Sequence, residues 1–76
     1  MEITLDQLCL GQKAVVNQIN IYPRMVGRLR DFGLIPGTHV RCRYRSPGGA
    51  VMAIELRGSV LALRTCDLEK IWGVCE

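Results

Sequence analysis

Glycine and proline cut this chain into short pieces, and that punctuation limits the fold more than any other feature. Eight glycines and three prolines are spread over 76 residues. Both residue types mark turns and element ends, glycine because it reaches positive φ and proline because it fixes φ and lacks an N–H donor. Short segments between such links favour several short strands over long helices. No linker, repeat or low-complexity stretch interrupts the pattern.

The segments read in order. Thr4 precedes Gln7 by three residues, a capping-box arrangement, and predicts one helical turn with Leu5 and Leu8 on a shared face, ended by Gly11. Lys13 to Ile19, rich in Val and Ile, predicts a strand. Pro23, after Tyr22, suits the first position of a helix, where its missing N–H would have no partner anyway. Met25, Leu29 and Phe32 then recur at i, i+4 and i+7, with Val26 beside them, as a core-facing stripe. Gly27 weakens that helix by about 1 kcal/mol relative to Ala, and Gly33 suits the place just past its end. Leu34-Ile35-Pro36-Gly37-Thr38 carries the Pro-Gly pair of a type II turn.

Thr38 to Arg45 alternates. Val40, Cys42 and Tyr44 fall on one face and Arg41, Arg43 and Arg45 on the other, the pattern of a half-buried antiparallel strand. Ser46-Pro47-Gly48-Gly49 is a loop. Val51 to Leu56 predicts the next strand, with Met52, Ile54 and Leu56 inward. Gly58-Ser59 suits a type II′ hairpin link, returning through Val60 to Arg64. Thr65 caps a short turn ending at Leu68, and Ile71 to Val74 is a last short strand. The predicted fold class is mainly β. It is a small barrel of about five short antiparallel strands with one inserted helix and two single helical turns, in one domain over residues 1–76.

The length allows one domain. A chain of this size buries about 60% of its surface on folding, which supports one thin core and no deep cleft. Hydrophobic residues at 49% and charged ones at 22% exclude a disordered chain. The longest apolar run, Ala50 to Ile54, falls far short of the roughly 20 residues of a membrane-spanning helix. The acidic opening Met1-Glu2-Ile3-Thr4-Leu5-Asp6 lacks the basic-then-apolar pattern of a secretory signal. Cys9, Cys42, Cys66 and Cys75 therefore read as reduced thiols, buried or half-buried. The apolar share is high for so small a body and points to a protein partner or a homo-oligomer.

The chemistry-bearing residues are few. A zinc site needs several Cys or His converging at tetrahedral spacing. Only His39 and Cys42 are close, and at i, i+3 on a strand they face opposite sides. Cys9, Cys66 and Cys75 would have to join them from afar, so core thiols and a surface His are expected. The row Arg41, Arg43, Arg45 is the clearest electrostatic feature. It suits phosphate, nucleic acid or an acidic partner, or an ordinary solvated strand face with Glu55 across from it. Net charge is only +3, and single-strand nucleic-acid modules stack bases on aromatic rings. This chain has Tyr22, Phe32, Tyr44 and Trp72, with Phe32 assigned to the core. One His and scattered acids offer no acid–base pair and no oriented nucleophile. No enzyme is expected. Arg24 and Arg28 are like charges at i, i+4 on the helix, offset by Asp31.

Five segments in order resemble the FeoA family of ferrous iron transport proteins. They are Leu5-x-x-Leu8-x-x-Gly11; Arg28-Leu29-x-Asp31-Phe32-Gly33-Leu34-Ile35-Pro36-Gly37-Thr38; Ser46-Pro47-Gly48-Gly49; Leu56-Arg57-Gly58 with Leu61-Ala62-Leu63-Arg64; and Ile71. The resemblance covers nearly the whole chain and implies an SH3-like barrel with a helix after its first strand. It also implies a cytoplasmic accessory of the large FeoB-type membrane GTPase that imports ferrous iron, with iron as cargo and no bound cofactor. A similar domain ends the DtxR-type metal-dependent repressors, so a metal-binding sensor or carrier is the alternative, and a nucleic-acid module a more distant one. The four cysteines and Tyr22-Pro23 depart from the family's usual look. For the partner contact, the expected surface is Arg24 and Arg28 with an exposed apolar tip at Leu34, Ile35, Pro36 and Gly37.

Overall fold

The computed structural model describes all of residues 1–76. Six strands form one antiparallel sheet: β1 (Glu2–Thr4), β2 (Lys13–Ile19), β3 (His39–Arg45), β4 (Val51–Leu56), β5 (Ser59–Arg64) and β6 (Ile71–Cys75). Their order across the sheet is β1-β6-β2-β3-β4-β5. A 3-10 turn, Leu5–Gln7, follows β1. Helix α1 spans Pro23–Asp31 and the single turn α2 spans Thr65–Leu68. Thirteen buried residues make one cluster, drawn from every strand but β1 and β5, from the 3-10 turn, from both helices and from the loops at Leu8 and Leu34. The sheet therefore curls its apolar face around a single core.

Most segment boundaries agree with the sequence reading. The predicted five strands become six, because Glu2–Thr4 pairs with β6. Thr4 ends that strand, and its side chain makes no cap hydrogen bond, so the expected capping box is not formed. The turn is held instead from a distance. The Arg45 guanidinium donates to the carbonyl of Asp6 and, at 2.8 Å, to that of Leu8.

Arg45 reaches those carbonyls because of a β-bulge. The register of β3 on β4 pairs Cys42 with Ile54 and then Tyr44 with Ala53, leaving Arg43 as the extra residue. A bulge adds one residue to one strand and so exchanges the faces beyond it. Tyr44 turns outward, and Arg45 lies opposite buried Met52. The predicted face of three arginines is thus broken after Arg43.

Helix α1 begins as its sequence suggests, with Pro23 in its first turn. It ends with paired cap bonds. The Gly33 N–H donates to the Arg30 carbonyl at 2.9 Å, and the Leu34 N–H donates to the Leu29 carbonyl at 2.8 Å. That geometry needs a positive φ, which Gly33 supplies at +89°. It usually brings an apolar contact between its two outer residues, and here both Leu34 and Leu29 are buried in the core. The Ile35–Thr38 turn then closes through the Thr38 N–H and the Ile35 carbonyl at 3.0 Å. Thr38 is itself buried and donates its hydroxyl to the Gly33 carbonyl at 2.8 Å.

The β4–β5 link has the predicted two residues but sits one position earlier. Leu56 pairs with Ser59, so the turn residues are Arg57 and Gly58, with φ of +50° and +79°. Two positive values define a type I′ turn rather than type II′. The Arg57 side chain lies against Gly33. A Cβ there would sit 2.8 Å from its Cδ. This clasp ties the start of β5 to the end of α1.

Candidate functional site

Two grooves lie on the surface, and they divide the predicted site residues. The first, about 310 Å³, is polar and open, lined by Lys13, His39, Arg41, Glu55, Arg57 and Glu76 among others. Its charges are partly matched. Glu55 accepts from Arg43 at 3.2 Å, and His39 Nδ1 lies 2.7 Å from Glu76 Oε1. The cross-strand partner expected for the arginine row is thus present at Arg43. Arg41 is half-buried and unpaired, and Arg45 is withdrawn to the 3-10 turn.

The second groove runs between α1 and β5 and holds about 280 Å³. Met25, Leu29 and Phe32 form its helical wall, with Leu61, Ala62 and Leu63 opposite and Arg28 and Arg64 at its rim. Phe32, assigned to the core by its spacing, is 58% exposed. The reason is local. It is the C-cap residue of α1, and the core position it would have taken is filled by Leu34. The hydrogen bonds and charge of Asp67 hold the Arg64 guanidinium above its ordinary pKa range. Arg64 donates to both Asp67 carboxylate oxygens, at 2.9 and 3.2 Å. Arg24 and Arg28 are exposed and have no carboxylate within ion-pair range.

The other predicted site residues are scattered. Leu34 is 0% exposed, so it cannot be the tip of a contact surface. Ile35 is half-buried, and Pro36 and Gly37 are exposed. Cys42 is buried and Cys75 half-buried, but Cys9 and Cys66 are exposed, against expectation. Cys75 Sγ accepts from the Gln12 side chain at 3.3 Å. No three His, Cys, Asp or Glu side chains converge where a metal ion could be held. No helix is long and apolar enough to cross a membrane. The sequence predicts the strand Val60 to Arg64 but not its place as a wall of the second groove, of which the run Val60-Leu61-Ala62-Leu63 after a tight turn is the only trace.

A curled six-stranded antiparallel sheet with one inserted helix defines a small SH3-like β-barrel domain. Residues 3–74 match the FeoA domain, and the chain belongs to the FeoA family, associated with ferrous iron transport. A Campylobacter jejuni protein provisionally named Fe(2+) transport protein A is 30% identical over 69 residues, covering 91% of this chain and 93% of its own. The solution structure of FeoA from Chlorobium tepidum superposes with a TM-score of 0.89 at 26% identity, over 95% of this chain and 70% of that one. The zinc complex of Stenotrophomonas maltophilia FeoA, described as an SH3 domain protein, superposes at 0.77 with 27% identity, over 97% and 89%.

Proposed function

We propose that this chain is a non-catalytic, cytoplasmic adaptor that binds the cytoplasmic part of an FeoB-type membrane GTPase transporter and modulates ferrous iron uptake. Iron is the cargo of that system. One observation carries the reading. Unpaired Arg28 stands at an apolar groove with an exposed Phe32, and unpaired Arg24 lies four residues before it on α1; a basic rim around an exposed apolar centre is the anatomy of a protein contact. The Ile35-Pro36-Gly37 turn belongs to the same proposal as a second contact, now without Leu34.

Titration calorimetry of the transporter's soluble cytoplasmic part against this chain tests the reading. The wild type binds, and Arg24→Glu/Arg28→Glu weakens binding about tenfold or more, since reversed charges at a rim repel the matched partner. No binding by the folded wild type would end the adaptor reading. Equal binding by the double variant would remove the helix face from the contact.

A further inference from the structure

Strand β5 is an edge of the sheet. Its inner face is unfinished. Leu61 and Leu63 lie opposite Ile54 and Met52, yet those two partners are fully buried while Leu61 and Leu63 are only half covered. Its backbone is unfinished too. In an antiparallel pair, alternate residues direct their N–H and C=O away from the partner strand. The two-residue turn makes Leu56 and Ser59 a hydrogen-bonded pair, so Leu61 and Leu63 bond to β4. Val60 and Ala62 then face outward, and no other backbone group in the fold bonds to them. Val60 is 59% exposed. No charge or proline blunts the edge between Val60 and Leu63, although exposed edges ordinarily carry such protection.

What faces this edge is α1, across the groove of Met25, Leu29 and Phe32. An edge strand and a helix with an apolar trough between them is a seat for one extended chain. The incoming backbone satisfies Val60 and Ala62. Its alternate side chains, two residues apart, drop into the groove against Leu61, Leu63 and Phe32. The one acid lining the groove, Asp67, is already held by Arg64, while Arg28 has no such partner. The occupant therefore carries an acidic residue beside its apolar ones.

We infer that the β5–α1 groove captures an extended segment of the partner protein as a seventh strand, selected by apolar residues two apart and a neighbouring Asp or Glu. This deepens the adaptor reading and rests on it.

The test uses the intact chain and the transporter's soluble cytoplasmic part. Ala62→Pro removes one outward donor, at a place where proline is tolerated because β4 does not use that N–H. It lowers affinity about tenfold or more, since it costs a hydrogen bond and the close approach of the added strand. Arg28→Glu lowers it by about as much, and Arg41→Glu on the other groove leaves it unchanged. In the wild-type complex the Val60 and Ala62 amides exchange at least tenfold more slowly than in the free protein. If the wild type does not bind, the adaptor reading falls and this inference with it. If Ala62→Pro, shown folded by its dichroism spectrum, binds as the wild type does and the two amides gain no protection, the groove is not the seat while the adaptor reading stands. A free wild-type dimer that Ala62→Pro converts to monomer would assign the edge to a second copy instead, and would also overturn the inference.

Discussion

Replacing Gly33 by Ala probes the joint between helix and sheet on which the groove depends. Two costs arise at one atom. The φ of +89° places the new Cβ against the backbone, at about 1–2 kcal/mol. The same Cβ lies 2.8 Å from Arg57 Cδ and 3.1 Å from its Nε. The Arg57 side chain must leave its rotamer, at about 0.5–1.5 kcal/mol more. A loss of about 1.5–3.5 kcal/mol is large against the roughly 4–11 kcal/mol expected for a domain this size. With an unfolding entropy of about 0.16 kcal/mol/K for this length, Tm falls by about 9 to 22 °C. Thermal unfolding followed by circular dichroism reads this directly. Arg57→Ala separates the two costs, because it frees the space but keeps the Gly33 backbone. In that background Gly33→Ala costs only the backbone part, about 1–2 kcal/mol. A Tm within about 4 °C of wild type would refute the backbone argument, since 1 kcal/mol already moves a small domain that far. An unchanged Gly33→Ala cost in the Arg57→Ala background would refute the clasp.

Three further outcomes rest on the same structure. Arg45→Met strips the donors from the Asp6 and Leu8 carbonyls and costs about 2 kcal/mol by urea unfolding, with faster exchange at the Leu8 amide. Leu34→Ala costs about 2–5 kcal/mol as a core truncation, and whatever folded fraction remains binds the partner normally; a folded variant with selectively lost binding would restore Leu34 to the surface. In native protein Cys9 and Cys66 react with a maleimide within minutes, Cys75 more slowly and Cys42 only on denaturation, as peptide mass mapping of the labelled sites will read, because access limits thiol reaction.

The sequence carried every element whose signal is local. The strand at Lys13–Ile19, the helix start at Pro23 and its end at Gly33 needed only propensity, periodicity and cap chemistry. What it hid depends on partners distant in the chain. Glu2–Thr4 is a strand only because β6 arrives to pair with it, and pairing took precedence over a capping box that looks sound in isolation. The bulge at Arg43 is defined by the strand opposite, so a regular alternation concealed a change of face. Phe32 and Leu34 are two residues apart at a helix end. Helical periodicity extended one residue too far favours Phe32, whereas the cap geometry assigns the core to Leu34. The candidate groove was legible by half. Arg28 and Met25 belong to a readable helix face, but nothing in Val60-Leu61-Ala62-Leu63 says that it forms an edge.

The strand order has a consequence for how the molecule is made. β6, the last strand in the chain, lies between β1 and β2, the first two. During synthesis those early strands emerge with a gap between them that only residues 71–75 can fill. The nascent domain therefore carries two unpaired strand flanks beyond the permanent edges at β1 and β5, and they persist until the end of this domain clears the ribosome. Anything that delays that release, such as a slow codon run near Ile71, lengthens the interval in which neighbouring nascent chains can pair across the gap.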